Sequence, residues 1–191
     1  GGAPPPTQSR VPQSATSRLK QDYTQTAIPL SISLPPVTPT ETAQLTQANA
    51  AQKGQALQIG FGRAIPVADR ANVLPRLAWT QFPNGTLVSA FSVTSPQARS
   101  IRLALIAPTL AEGVELRFFR PEFLDHSFGP FTKELLARQP SAAASSGGPE
   151  DPGQFWSPVM QGDAIGVEIY LPSAEALPTS AIRLLQVSHI N

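Results

Sequence analysis

From Gln55 onward, apolar residues recur in short alternating runs closed off by proline and glycine, and this constrains the fold more than any other feature. "SIRLALIAP" sets Ile101, Leu103 and Leu105 against Arg102 and Ala104. "GVELRFFRP" sets Val114, Leu116 and Phe118 against Glu115, Arg117 and Phe119. A period of two belongs to strands and cannot line one face of a helix. With "ALQIGFGRAIPV", "RLAWTQF", "LVSAFSVTS", "WSPVM", "AIGVEIYLP" and "SAIRLLQVSHIN", the series reaches about eight strands at a spacing of roughly ten residues. In the last run Ile182, Leu184 and, after a slip of phase, Val187 and Ile190 are the inward candidates. The expected fold is all-β: an antiparallel, jelly-roll-like β-sandwich, each strand apolar on one face and polar on the other. The 21 prolines argue the same way, because proline breaks helix interiors and marks turns.

Turn chemistry supports the strand reading. Asn84-Gly85 between two apolar runs predicts a hairpin of type I′, with positive φ at both residues. Gly162-Asp163 is expected to turn the chain between two antiparallel strands. Pro158 marks an edge strand or bulge, since it cannot donate to a ladder. The interruption of the pattern is residues 121–153. "FTKELLARQ" there predicts a short helix near Thr132 to Arg138, and residues 139–153 form a low-complexity loop.

The first 53 residues differ from the rest. They are rich in Pro, Thr, Gln, Ser and Ala, and read as an extension ahead of a sandwich domain spanning 54–191. Within this Pro-rich extension Ile28 to Leu34 alternates and can add as an edge strand. Thr40 then caps a short helix near 41–52.

Composition narrows the function. The formal net charge is +1, with charged residues at 14%. No basic field exists to bind nucleic acid or an anionic membrane surface. The chain has no cysteine, so disulfides and thiolate metal sites are excluded. No apolar run is long enough for a membrane span.

"SSGGP" contains part of a trypsin-type nucleophile motif, but Ser146 follows Ser145 instead of Gly-Asp. A catalytic serine needs a histidine base, an aspartate behind it and oxyanion donors. The two histidines, His126 in "LDHSFG" and His189 near the C-terminus, lack the Ala-Ala-His setting of such bases, so Ser146 reads as a loop residue. Asp125-His126 reads as an exposed turn. Glu150, Asp151 and Asp163 lack the spacing of a calcium loop. Trp79 and Trp156 read as core or rim residues, and Arg99, Arg102, Arg117 and Arg120 as residues on solvent faces. Gly60-Phe61-Gly62 opens no helix and is no phosphate loop. No catalytic, metal or cofactor site is expected.

The stretch "FWSPVMQGDAIGVEIYLP" followed by "LLQVSHIN" resembles the N-terminal region of secreted bacterial trypsin-like peptidases of the lysyl endopeptidase type. Gly62-Arg63, Trp79, Pro83-Asn84-Gly85, Ser95-Pro96-Gln97-Ala98, "IRLAL" and "LAEGVELRFF" fit the same arrangement in order. The resemblance covers about residues 55 to 190. It implies a non-catalytic pro- or accessory domain, secreted or periplasmic, whose partner is a trypsin-like protease domain linked C-terminally. None of the family's catalytic positions falls in this chain. An alternative is an independent module binding carbohydrate or a cell-surface polymer, with Trp79, Phe119, Trp156 or Tyr170 exposed along a groove. A hydrolase using Ser146 or His126 is the third reading.

Overall fold

The computed structural model describes residues 30–51, 60–138 and 154–191. Two packed β-sheets carry the chain. The strands are β1 (Leu30–Ser33), β2 (Gly60–Ala64), β3 (Thr80–Gln81), β4 (Leu87–Thr94), β5 (Ser100–Thr109), β6 (Glu115–Arg120), β7 (Phe123–Phe131), β8 (Gln154–Trp156), β9 (Met160–Gln161), β10 (Ala164–Leu171) and β11 (Ala181–Ile190). Two helices, α1 (Pro39–Ala51) and α2 (Lys133–Leu136), complete the set with short 3₁₀ turns. The first sheet runs β1-β4-β10-β6-β7, with β3 also on β4. The second runs β2-β11-β5-β8, with β9 also on β5. This is the all-β sandwich that the alternation predicts. One pairing departs from it: β1, at the edge, is parallel to β4, from Leu30 opposite Phe91 to Ser33 opposite Thr94.

The inner faces meet in one core. Phe91, Val93, Leu103, Leu105, Leu116, Phe118, Phe155, Ile165, Val167, Leu184 and Val187 belong to it. Phe118 packs edge-on against Phe131 (5.3 Å between centroids) and Phe155 (6.4 Å). Such geometry aims ring edges at ring faces and adds about 1 kcal/mol per pair beyond area burial.

Several expectations need correcting. The two-faced pattern fails in the first sheet, where β4, β6 and β10 are buried on both sides. The face turned away from the core carries its own apolar cluster of Val88, Ala90 and Phe119, with Phe82 and Tyr170 packed on it. The far end of the Phe119 ring lies over Gly166, its register partner, where a side chain would collide with the ring. Polar residues on this sheet, Ser89, Ser92, Arg117 and Glu168, are buried as well.

Strand β7 occupies a stretch expected to interrupt the strand pattern. Asp125, His126, Gly129 and Pro130, joined through a cis Gly129–Pro130 bond, break the alternation that would have marked it. The helix after it is α2, capped by Thr132, whose hydroxyl accepts from the Leu135 N–H (3.3 Å). "WSPVM" is two strands, β8 and β9, both on the β5 edge. Pro158 lies in the break between them.

The hairpin at Asn84-Gly85 is real but not type I′. Phe82 donates to the Thr86 carbonyl (2.9 Å), so Pro83, Asn84 and Gly85 form the connection. Gly85 alone takes a positive φ (88°). Pro83 fixes a negative φ at the first turn position, which selects a turn closed by a left-handed glycine. Gly162-Asp163 does turn the chain, but from β9 in one sheet to β10 in the other. In β11 the phase slip is a register shift between Leu184 and Gln186. It brings His189, not Ile190, into line with Val187.

Helix α1 starts one residue before Thr40. Thr38 is its cap, and its hydroxyl accepts from the Glu41 N–H (3.2 Å) while Glu41 Oε1 accepts from the Thr38 N–H (3.0 Å). This reciprocal pair is a capping box. Glu41 also joins α1 to the sandwich through Arg63.

Candidate functional site

Most of the residues weighed from the sequence do not come together. Ser146, Glu150 and Asp151, like the 139–153 loop, lie outside the described residues, as does the side chain of Asp125. His126 is exposed on β7. Asp163 serves through its backbone, its carbonyl accepting from the Ser95 N–H (2.8 Å). Among the described residues no three His, Asp or Glu side chains converge as a metal site would need.

The four aromatics expected along a groove are dispersed. Trp79 packs on the main core and its indole N–H donates to the Leu74 carbonyl (3.2 Å). Phe119 is fully buried, and Tyr170 packs beside it on the first sheet. Trp156 is on the second sheet, under the Arg102 guanidinium at 4.4 Å. The arginines also part company. Arg99 is exposed at a turn, Arg102 is half-buried on Trp156, and Arg120 lies over Phe123 (4.6 Å). Arg117 is buried, contrary to the solvent-face expectation, and donates to Glu115 Oε1 (2.8 Å).

One polar cluster that the sequence motifs do not announce is assembled around Arg63. Arg63 on β2 is buried, and its guanidinium is shared among three segments. Its Nε donates to Glu41 Oε2 (2.9 Å), one terminal nitrogen donates to Ser95 Oγ (3.0 Å), and the other donates to the Pro35 carbonyl (2.8 Å). Ser95 Oγ in turn lies 2.7 Å from His189 Nδ1, and the His189 ring stacks on Phe61 (5.1 Å). The signal was present in the phase of the strands. Arg63 falls between Phe61 and Ile65 on the same side of β2, and His189 is in phase with Val187. A charged or titratable residue at an inward position demands partners.

A guanidinium only donates, so Ser95 Oγ accepts from Arg63. The serine keeps its own hydrogen to donate, and His189 Nδ1 lies within reach at 2.7 Å; with the bond in that direction His189 is neutral and carries its proton on Nε2. Burial first, then the nearby Arg63 charge, push the His189 imidazole below its ordinary value. The Thr38 backbone N–H, assisted by Arg63, holds the Glu41 carboxyl below its ordinary value. Ser95 has a serine–histidine contact but is completely buried. Its oxygen is also polarised by a guanidinium, which opposes nucleophilic attack. The arrangement clamps segments together.

A family model described as the lysyl endopeptidase N-terminal domain matches residues 33–191. The match runs from the last residue of β1 through α1 and both sheets to the residue after β11. No curated protein and no solved structure matches the chain.

Proposed function

The chain belongs to the lysyl endopeptidase N-terminal domain family, and from that we propose that it is a non-catalytic pro- or accessory domain of a secreted trypsin-like serine endopeptidase. It acts on a peptidase domain joined to its C-terminal side, assisting that domain's folding or holding it inactive. The family match over both sheets is the observation that carries this reading. The internal chemistry is in keeping with it. The Ser95–His189 contact is sealed in the interior beside Arg63. The aromatic platform that a polymer-binding module would need is split between two sheets and the core.

Two experiments test the proposal. The reading frame beyond Asn191 is expected to encode a domain carrying the serine, histidine and aspartate of a trypsin-type triad. The 191-residue chain is then added in trans to that peptidase, both during refolding and after it. A higher yield of active enzyme, or inhibition of the folded enzyme, is the expected result. A frame without a peptidase, or a peptidase whose yield and rate both ignore the chain, would overturn the proposal.

A further inference from the structure

We propose that the His189–Ser95–Arg63–Glu41 chain is an acid-released clasp: neutral His189 ties the end of β11 to the strap Leu34–Glu41, and its protonation loosens both. The geometry supplies the mechanism. Ser95 Oγ accepts a hydrogen bond from Arg63, and in the neutral clasp it donates its own hydrogen to His189 Nδ1, 2.7 Å away. A proton arriving on Nδ1 removes that acceptor and strands the serine hydroxyl hydrogen. It also places an imidazolium in the interior beside the Arg63 guanidinium. The one carboxylate in the network, Glu41, is already engaged by two Arg63 nitrogens and the Thr38 N–H. Buried like charges without a free counter-ion are costly.

The groups facing the ring are accounted for. Arg63 and Phe61 come from β2, Ser95 from the turn between β4 and β5, Glu41 from α1 and Asn191 from beyond β11. Burial and Arg63 oppose protonation, and the Asn191 side chain and Glu41 favour it less strongly. Ser95 also holds its neighbourhood together through the backbone. Its N–H donates to Asp163, while Leu34 donates to Thr94 and Arg99 donates to Ile190, each at 2.8 Å. Loosening Ser95 therefore reaches the parallel edge strand, the sheet crossover and the last strand at once. The clasp operates within this chain, with or without a peptidase behind it, so its failure would leave the proposed function standing.

The test is amide hydrogen exchange on the 191-residue chain at pH 7.5 and 5.5, corrected for intrinsic exchange rates. Loss of protection at Leu34, Ser95 and Arg99 on acidification is expected. His189→Asn keeps an acceptor near the Nδ1 position and cannot be protonated, so it should lose this pH dependence. His126→Gln, which removes the exposed histidine, should retain it. Protection unchanged with pH, or an equal loss in His189→Asn, would overturn the clasp. Should His189→Asn fail to fold, an NMR titration of the wild-type ring decides. The Nε2–H tautomer titrating below about pH 6.5 supports the clasp. The Nδ1–H tautomer, or titration at or above that value, refutes it.

Discussion

His189 Nδ1 stands 2.7 Å from Ser95 Oγ, a contact made across 94 positions of sequence. Strand β11 lies beside the Ser95 turn because it pairs with β5, His189 opposite Ile101 and the Arg99 N–H on the Ile190 carbonyl; on its other side β2 pairs antiparallel, with Phe61 opposite His189 and Arg63 opposite Val187. The same pairing puts Arg63 within reach of Ser95, Pro35 and Glu41. Arg63→Ala would leave a buried hydroxyl, a carbonyl and a carboxylate without their donor. Truncating one member of a buried ionic network costs about 3 kcal/mol or more. Urea unfolding should show a drop of that order. Arg63→Lys should recover only part of it, because an ammonium cannot span three acceptors as the planar fork does. Full recovery by lysine would mean that charge alone matters.

Gly166→Ala tests the second apolar cluster. The added Cβ would overlap the Phe119 ring, which is completely buried and cannot swing into solvent. Overpacking of this kind costs about 1–3 kcal/mol. Phe119→Leu should be destabilising alone, yet should cost less in the Gly166→Ala background, because a smaller side chain vacates the space. A double-mutant cycle on thermal unfolding measures the coupling. Additive effects would show that the ring does not depend on the glycine.

Thr38→Ala removes the hydroxyl half of the α1 capping box. Loss of an N-cap of this type costs about 1 kcal/mol. The effect should be local: α1 amides exchange faster, while those of β5 and β10 keep their protection. Thr40→Ala, at the position expected from sequence to be the cap, should change little.

Glu41 sets a second, more acidic limit. Its carboxyl is held below its ordinary value of 4.5, first by the Thr38 backbone N–H. For a depressed acid, the unfolded state takes the proton first, so stability rises with pH across that window. The contribution is fully present above about pH 4.5 and is lost as pH falls through the lower folded-state value. Glu41→Gln should flatten the stability profile there. It should leave the dependence at less acidic pH to His189, whose depressed value likewise makes stability fall as pH drops below about 6.5. Equilibrium denaturation at half-unit pH steps separates the two windows.

The sandwich was legible because the sequences of β5, β6 and β11 carry a period-two alternation, and in β11 one face meets the core while the other does not. Strand β7 was hidden by residues that read as breakers, Asp125, His126, Gly129 and Pro130, because the pairing of Phe123, Ser127, Phe128 and Phe131 with β6 carries the strand across them through two irregularities of register. Residues 30–51 read as an extension. Yet β1 depends on β4, and Glu41 on Arg63, for a place beside the sandwich. Neither partner is visible from the segment itself. The clasp was obscured for a related reason. His189 was considered as a base for a distant serine loop, whereas its real partner lies in a turn between two strands. The phase of Arg63 and His189 was the available clue, since both stand where an apolar side chain would be expected.

The order of strands in the two sheets also governs time. The two centrally placed strands, β10 and β11, come last in the chain. Strand β2 finds its sheet partner only when β11 exists, and β4 and β6 are joined only through β10. As the chain is synthesised from its N-terminus, the first sheet cannot close before β10 has emerged, and the second cannot close before β11 has. Until then the apolar faces of β4, β5 and β6 stay open to other surfaces. A fold assembled from distant pairings waits for its last strand, and β2 and β5 stay without that partner until then.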